Sequence, residues 1–274
     1  MKLNDMVLLI AVYYFLSILF TFRVVKNKGI YVHIFDVGQG DAILIDVEGS
    51  KILIDGGANF EVDYELNKIM PFWNCELFAL ILTHPHYDHV AGLNKVLDRC
   101  KVDQIMFNDV DYPSAEFGIF KNKISSLNIK NAIEGDFFSI NDVSFYILWP
   151  TQNFLDSRIE NVNNMSVVIF MDYGNFEAIF LGDAEIDVLS KIDLSGVSHL
   201  IDGKLDLLKI AHHGAKNGNH KGFINALNPE ICAISVGSDN RFGHPHPQTL
   251  DFLNEIGCNV LRTDEVGDIK IKVK

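Results

Sequence analysis

The sequence predicts an α/β sandwich of the αββα type, two sheets face to face with helices outside, preceded by one N-terminal transmembrane helix. Three observations predict it. Strand-like runs fall into two meandering blocks, each followed by alternating helix and strand patterns. Several of these runs are continuously apolar, as strands covered on both faces are. The run "MVLLIAVYYFLSILFTF", residues 6–22, carries no charge at all.

With its flanks, that run can cross a hydrocarbon core of about 30 Å at about 1.5 Å per residue. A cleaved signal peptide would show a basic leader and small residues at a cleavage site; here "MKLND" precedes the run and "TFRVVKNK" follows it. No polar face interrupts it, which argues against a core helix. Residues 1–28 are therefore expected to be a membrane anchor with a short basic linker, and residues 29–274 the folded domain. In that domain "IYVHIFDV", "AILIDVEG" and "SKILIDGG" are short β-rich runs broken by glycine, the pattern of an antiparallel meander. "LFALILTH" is an apolar run of strand length, and "HVAGLNKVLDRC" sets Val90, Leu93, Val96 and Leu97 at helical spacing. "FFSI", "VSFYILWP", "SVVIFMDYG" and "FEAIFLGD" form the second strand block, followed by the helix candidate "AEIDVLSKI". "DLLKIAHHG", "ICAISVG" and "NVLRTD" alternate with the helical patterns "KGFINALNP" and "PQTLDFLNEIG", and "DIKIKV" is the last strand.

The chain has 274 residues, 48% of them hydrophobic, enough for one large core or two small ones. Its formal net charge of −13 disfavours broad contact with nucleic acid through Lys and Arg alone. It does not exclude a nuclease whose bound metal ions supply the positive charge. Cys75, Cys100, Cys232 and Cys258 are scattered, with no CxxC pair. They read as buried core thiols rather than as a zinc knuckle or a disulfide framework.

The chemistry concentrates in "LTHPHYDHVAGL". In an extended segment His84 and His86 share a face, and the turn into a helix swings Asp88 and His89 round the same spot. Imidazole nitrogen and carboxylate oxygen suit zinc, manganese or iron. Four such groups at this spacing can hold two adjacent ions, two side chains each. Asp183 in "IFLGDAE" and His212 and His213 in "LLKIAHHGA" also follow apolar runs. Neighbouring strands present their ends along one edge, so these residues can converge there, with Asp183 bridging two ions through its two oxygens. "GQGD" is not a nucleotide loop, because it lacks the full GxGxxG and no helix pattern follows.

"THPHYDHVAGL" resembles the HxHxDH signature of the metallo-β-lactamase superfamily. "FDVGQGDAILI", "ILIDGG", "NNMSVVIF", "FLGDAE", "LKIAHHGAKNG", "SVGSDNRFGHPHPQTL" and "GCNVLRTDEVGDIKI" resemble the metallo-hydrolase domain of ComEC-type competence proteins. The resemblance covers nearly all of the chain beyond the anchor. It implies the αββα fold and a site for two divalent ions, zinc or manganese. Carried over by motif, His84 and His86 bind the first ion, Asp88, His89 and His212 the second, and Asp183 bridges them. His212 is preferred because it falls first after the strand, which leaves His213 beside it or facing substrate. Asp55 in "LIDGG" resembles the carboxylate that orients a ligand histidine. Asp36, Gln39 and Asp41 form a further polar group, in which Asp41 either reaches the outer edge of the metal site or serves turn chemistry. His244 and His246, on a proline-stiffened loop, either complete the first site or protonate a leaving group.

One departure stands out. Relatives rich in zinc carry a third histidine for the first ion between HxHxDH and the bridging aspartate, yet residues 90–182 contain none. "NVNNMS" stands there instead, so Asn164 or Ser166 lines the site, and the first site is expected to be looser or more tolerant of manganese, with operation on a single ion left open.

A metal pair of this kind lowers the pKa of a bound water and polarises the bond under attack. The resemblance implies phosphodiester hydrolysis with DNA as the substrate; a cell-envelope or small-molecule phosphoester is the alternative. A di-iron oxidoreductase would carry an acidic residue at His86, and a non-catalytic binding subunit of a DNA-uptake system would be expected to have lost ligands. The partners implied are the membrane, through the N-terminal helix, and membrane proteins beside it. The sequence leaves the oligomeric state open. The basic residues Arg23, Lys26 and Lys28 after the apolar run, and the unpaired cysteines, tip the catalytic domain slightly towards the cytoplasm. The family resemblance places it on the other side.

Overall fold

Alternation and apolar continuity decide the first sheet. In the computed structural model, which describes residues 5, 6, 10–15, 17, 29–71 and 73–273, β1 (Ile30–Ile34), β2 (Ile43–Val47) and β3 (Ser50–Ile54) form the expected antiparallel meander. Most of the expected anchor and linker lies outside the described residues. Of residues 6–22, those described are helical, and among the described residues no helix is long and apolar enough to cross a membrane.

β4 (Glu76–Ile81) lies parallel to β3, and β5 (Lys101–Met106) and β6 (Ile129–Lys130) continue the parallel run. The helices Glu61–Ile69, Tyr87–Arg99 and Ala115–Ile124 make the crossovers. The first and third of these helices, with β5 and β6, were not singled out by the sequence patterns. Glu61–Ile69 buries only Val62, Glu65 and Leu66, too thin a stripe to read from spacing alone. The last strand, β14 (Ile269–Val273), returns to close this sheet beside β1.

The second sheet runs from β7 (Phe137–Ile140) through β8 (Val143–Trp149), β9 (Val168–Asp172), β10 (Glu177–Phe180), β11 (Leu207–Lys209) and β12 (Ile231–Ile234) to β13 (Asn259–Arg262). Its first four strands are antiparallel and its last four parallel. Between the sheets, Val32, Ile45, Ile52 and Ile81 meet Phe145, Ile169, Ala178 and Leu207. Outside, Leu44, Leu53 and Leu80 pack under one helical layer, and Leu208, Cys232 and Ile234 under the helices Lys221–Leu227 and Pro247–Glu255. Burial on both faces explains the continuous apolar runs, each such side chain contributing about 1.5–3 kcal/mol.

The cysteines correct the expectation of free thiols: Cys75 pairs with Cys100 and Cys232 with Cys258. Both bridges join neighbouring parallel strands across one helical crossover. Cys75 and Cys100 directly precede the paired residues Glu76 and Lys101, with Cα atoms 4.6 Å apart. Cys258 directly precedes Asn259, which pairs with Ile231 beside Cys232. The sequence spacing of 25 and 26 residues spans a whole helix and a turn, so no short motif announces the pairing.

Candidate metal centre

All the expected ligands lie past the C-terminal ends of parallel strands, where loops from several strands meet. After β4 the chain runs through His84 without regular structure and enters the helix Tyr87–Arg99 at its extended cap His86. The helix start is pressed against neighbouring loops. A Cβ on Gly92 would lie 1.9 Å from the carbonyl oxygen of Gly56, and one on Gly40 would lie 2.1 Å from that of Asp88. Only glycine admits this approach.

His84 Nε2 and His86 Nδ1 are 3.1 Å apart and face Asp183, whose Oδ2 is 3.8 Å from His84 Nε2. These three residues form one group with ligand atoms mutually within 4.8 Å. Asp88, His89 and His213 form a second, and Asp41, His89 and Asp183 a third. Asp183 Oδ1 lies 3.4 Å from His89 Nε2, so the one carboxylate is within reach of both groups. Gly182, at φ +52°, turns the chain to place it after β10, and the Ser166 hydroxyl accepts the Asp183 backbone N–H at 2.9 Å.

The histidine pair after β11 corrects the sequence assignment. It is His213, not His212, whose Nε2 reaches Asp88 Oδ2 at 3.4 Å and Asp183 Oδ2 at 3.6 Å. The reason is backbone handedness. His212 and His213 both sit in the left-handed region, at φ 50° and 52°, so the first histidine after the strand is not the one that continues its direction. Non-glycine residues held there cost about 1–3 kcal/mol each and cluster at functional sites. Both rings still turn to Asp183, His212 with its Nε2 3.7 Å from Oδ2.

The far nitrogens are held by oxygens. His89 Nδ1 lies 2.8 Å from Asp55 Oδ2, and Asp55 also accepts the Thr83 backbone N–H and hydroxyl. This is the position that the orienting role expected of Asp55 requires. His213 Nδ1 donates to the Ser235 carbonyl at 3.0 Å, with Asp41 Oδ1 at 3.5 Å. His84 Nδ1 has the Thr83 and Ser166 hydroxyls at 3.1 and 3.3 Å. Asp41 is in turn paired with the fully buried Lys209 at 2.8 Å. Lys209 was missed in the sequence; a lone lysine inside the apolar run "LDLLKIA" was its signal.

The remaining candidates separate. Asn164 takes the backbone N–H of Glu185 on its Oδ1. Asp36 serves turn chemistry, accepting from the Gly38 N–H, and Gln39 accepts from the Gly237 N–H, neither joining the ligand groups. His246 caps the helix Pro247–Glu255 by accepting the Gln248 N–H. The His244 ring lies 5.6 Å from that of His212, and burial, with the neighbouring imidazoles adding to it, lowers its pKa to about 4. His244 is thus neutral at pH 7, which suits a hydrogen-bonding or proton-accepting role better than that of an imidazolium acid. An open depression of about 390 Å³ adjoins it, lined also by Ile186, Lys216, Asn217 and Phe242.

This donor set fits divalent ions. His89 Nε2, His213 Nε2 and Asp183 Oδ1 are buried without a hydrogen-bond partner. His89 Nε2 lies 3.4 Å from Asp183 Oδ1 and His213 Nε2 lies 3.4 Å from Asp88 Oδ2, separations that match two ligands on one tetrahedral ion, which at about 2.1 Å from the metal lie about 3.4 Å apart. Electrostatics agree. Burial would lower His89, but Asp183 and Asp55 hold it well above the ordinary imidazole range. Burial likewise opposes His213, which Asp183, Asp41 and Asp88 raise to about 10. For Asp183, burial is outweighed by His89 and His213, which hold its carboxyl well below the usual range. Protons and divalent ions therefore compete for the same nitrogens.

Residues 35–151 match the model of the metallo-beta-lactamase superfamily. ComE operon protein 3 of Bacillus subtilis (strain 168) is 29% identical over 277 residues, covering 94% of this chain and 34% of that protein. Recombination protein 2 of Haemophilus influenzae (strain ATCC 51907 / DSM 11121 / KW20 / Rd) is 28% identical over 241 residues, covering 86% of this chain and 28% of that protein. The chain thus spans about a third of the length of these curated relatives. Among solved structures, a metal-dependent hydrolase of the beta-lactamase superfamily superposes with TM-score 0.58 at 13% identity, covering 89% of this chain and 99% of its own. The CmlA beta-hydroxylase E377D mutant gives the same TM-score at 12% identity, covering 89% of this chain and 54% of its own. At these identities the likeness is one of fold.

Proposed function

We propose that the chain is a phosphodiesterase acting on DNA or a related phosphodiester, a reading supported by the match of residues 35–151 to the metallo-beta-lactamase superfamily model and by the fold shared with a metal-dependent hydrolase. One observation carries this reading: two ligand groups, His84–His86 and Asp88–His89–His213, share the single carboxylate of Asp183. When bound there, two divalent ions would activate an attacking water near neutral pH and stabilise charge on a phosphoryl group.

The chain's own residues set the terms. Asp55 holds the His89 ring so that Nε2 faces inward, and the Ser235 carbonyl does the same for His213. Lys209 neutralises Asp41, leaving Asp183 and Asp88 as the carboxylates nearest the ligand nitrogens. The depression beside His244 offers room for substrate, with Lys216 for an anionic group and the exposed ring of Phe242 for an apolar or aromatic one. The similarity to ComE operon protein 3 supports a role in competence. The two disulfides support a catalytic domain on the oxidising side of a membrane.

The test is turnover by the manganese- or zinc-loaded chain on bis(p-nitrophenyl) phosphate and single-stranded DNA. Asp183→Asn removes the shared charge and should lower kcat by at least about a hundredfold, the scale of losing one charge-stabilising group, with the circular dichroism spectrum retained. Failure of the loaded wild-type chain to cleave any phosphodiester refutes the proposal. Cleavage of phosphomonoesters alone moves it to the phosphoester alternative.

A further inference from the structure

We propose that His212, backed by Glu185, is a protein ligand of the first ion and takes the place of the histidine that residues 90–182 do not contain. The inference rests on the two-ion reading above. His212 Nε2 approaches Asp183 Oδ2 to 3.7 Å, as His84 Nε2 does to 3.8 Å and His213 Nε2 to 3.6 Å, so His212 is within reach of the bridging oxygen and its side of the site is decided by its other contacts. His213 is grouped with Asp88 and His89 and lies 3.4 Å from Asp88 Oδ2, whereas His212 belongs to none of the ligand groups and contacts Asp183 and Glu185 instead, which leaves it for the His84 and His86 side. Its backbone is fixed by donating an N–H to the Gly182 carbonyl, in the turn that carries Asp183.

The far nitrogen of His212 carries the second part of the argument. Its Nδ1 is buried without a hydrogen-bond partner and lies 3.6 Å from Glu185 Oε1. The pairing is that of Asp55 and His89, where a carboxylate 2.8 Å away fixes the ring of a metal-facing histidine, but at 3.6 Å it is an ion-pair contact rather than a hydrogen bond. Glu185 is positioned in turn. Asn163 Nδ2 donates to its Oε1 at 2.9 Å, and its backbone N–H donates to Asn164 Oδ1 at 3.1 Å. Both asparagines belong to "NVNNMS", the segment that stands where a third histidine was expected. That segment reaches the site at one remove, holding the carboxylate that aims the replacement ligand. The His212 side chain is 21% exposed, which leaves it space to close the short distance to an ion.

The test uses the full chain, stripped of metal and reloaded with Co(II) or Zn(II), and reads bound ions by elemental analysis and chelator competition. His212→Ala should retain one tightly bound ion. Combined with His84→Ala it should again retain one, because both substitutions empty the same site; combined with His213→Ala it should retain none. Glu185→Gln should weaken one ion of the two by about 10–100-fold, shift the Co(II) visible absorption, and have no further effect in the His212→Ala background. Two ions bound by His212→Ala with wild-type affinity overturn this inference alone. So does loss of both ions when His212→Ala is added to His84→Ala. A wild-type chain that binds no divalent ion overturns the two-ion reading together with it.

Discussion

Breaking the two disulfides should remove much of the stability of this domain, by an amount set by loop length. Each bridge closes a loop across one βαβ crossover, 25 residues for Cys75–Cys100 and 26 for Cys232–Cys258. In the chain-entropy treatment, closing a loop of that size costs the unfolded chain about 12 cal/mol/K, or about 3.5 kcal/mol at 25 °C. The loops do not overlap, so the two contributions add to first order, to about 7 kcal/mol. Natural domains are stable by only about 5–15 kcal/mol. The measurement is urea unfolding of the chain with and without reductant, alongside Cys75→Ala/Cys100→Ala and Cys232→Ala/Cys258→Ala. Each double variant should lose about 2–5 kcal/mol. If full reduction costs less than about 1 kcal/mol, or if four free thiols titrate in the unreduced unfolded chain, the pairing is wrong. The compartment argument built on it then falls too.

Other outcomes follow from buried charge. Lys209 and Asp41 form an ion pair 2.8 Å apart with both side chains at most 1% exposed, so Lys209→Met strands a carboxylate and should cost about 3–5 kcal/mol in urea unfolding. The Lys209→Met/Asp41→Asn double variant should recover most of that loss; a strictly additive double variant would show that the two groups do not interact. Glu177 is 2% exposed, and burial, with Asp206 and Asp172 adding to it, raises its pKa to about 7 from 4.5. The folded state therefore keeps a proton that the unfolded state releases. Stability from this group is fully present below about pH 4.5 and is lost as pH rises through 7, at a cost of up to about 3 kcal/mol. Glu177→Gln should match wild type near pH 5 and exceed its stability at pH 8; equal unfolding midpoints at pH 8 would rule this out.

The parts of the site that were legible in the sequence are those written in consecutive residues. HxHxDH reads directly because a strand, a turn and a helix start fix four side chains within six positions. Asp55 and Asp183 read because each ends an apolar run at a glycine. The sheets read because burial on both faces leaves unbroken apolar stretches, whereas β6, with both of its residues exposed, leaves no such trace. What was not legible depends on pairing across the fold. The disulfides join residues brought together by parallel register, and the Lys209–Asp41 pair spans 168 positions.

The histidine pair shows where the boundary lies. An imidazole is the same ligand at position 212 or 213, and no composition or periodicity distinguishes them. The distinction comes from two successive left-handed residues, a conformation that costs free energy and persists only if the surroundings impose it. Those surroundings are visible: His212 is tied to Gly182, the Ala215 N–H returns to the His212 carbonyl, and the His246 N–H binds the Gly214 carbonyl. The strained turn thus draws support from the Asp183 loop on one side and from the Pro245–His246 loop on the other. This gives the "GHPHP" segment a part in the site that does not require its histidines to touch an ion. His246 holds the turn through its backbone and a helix through its ring, and the turn presents both His212 and His213 to Asp183.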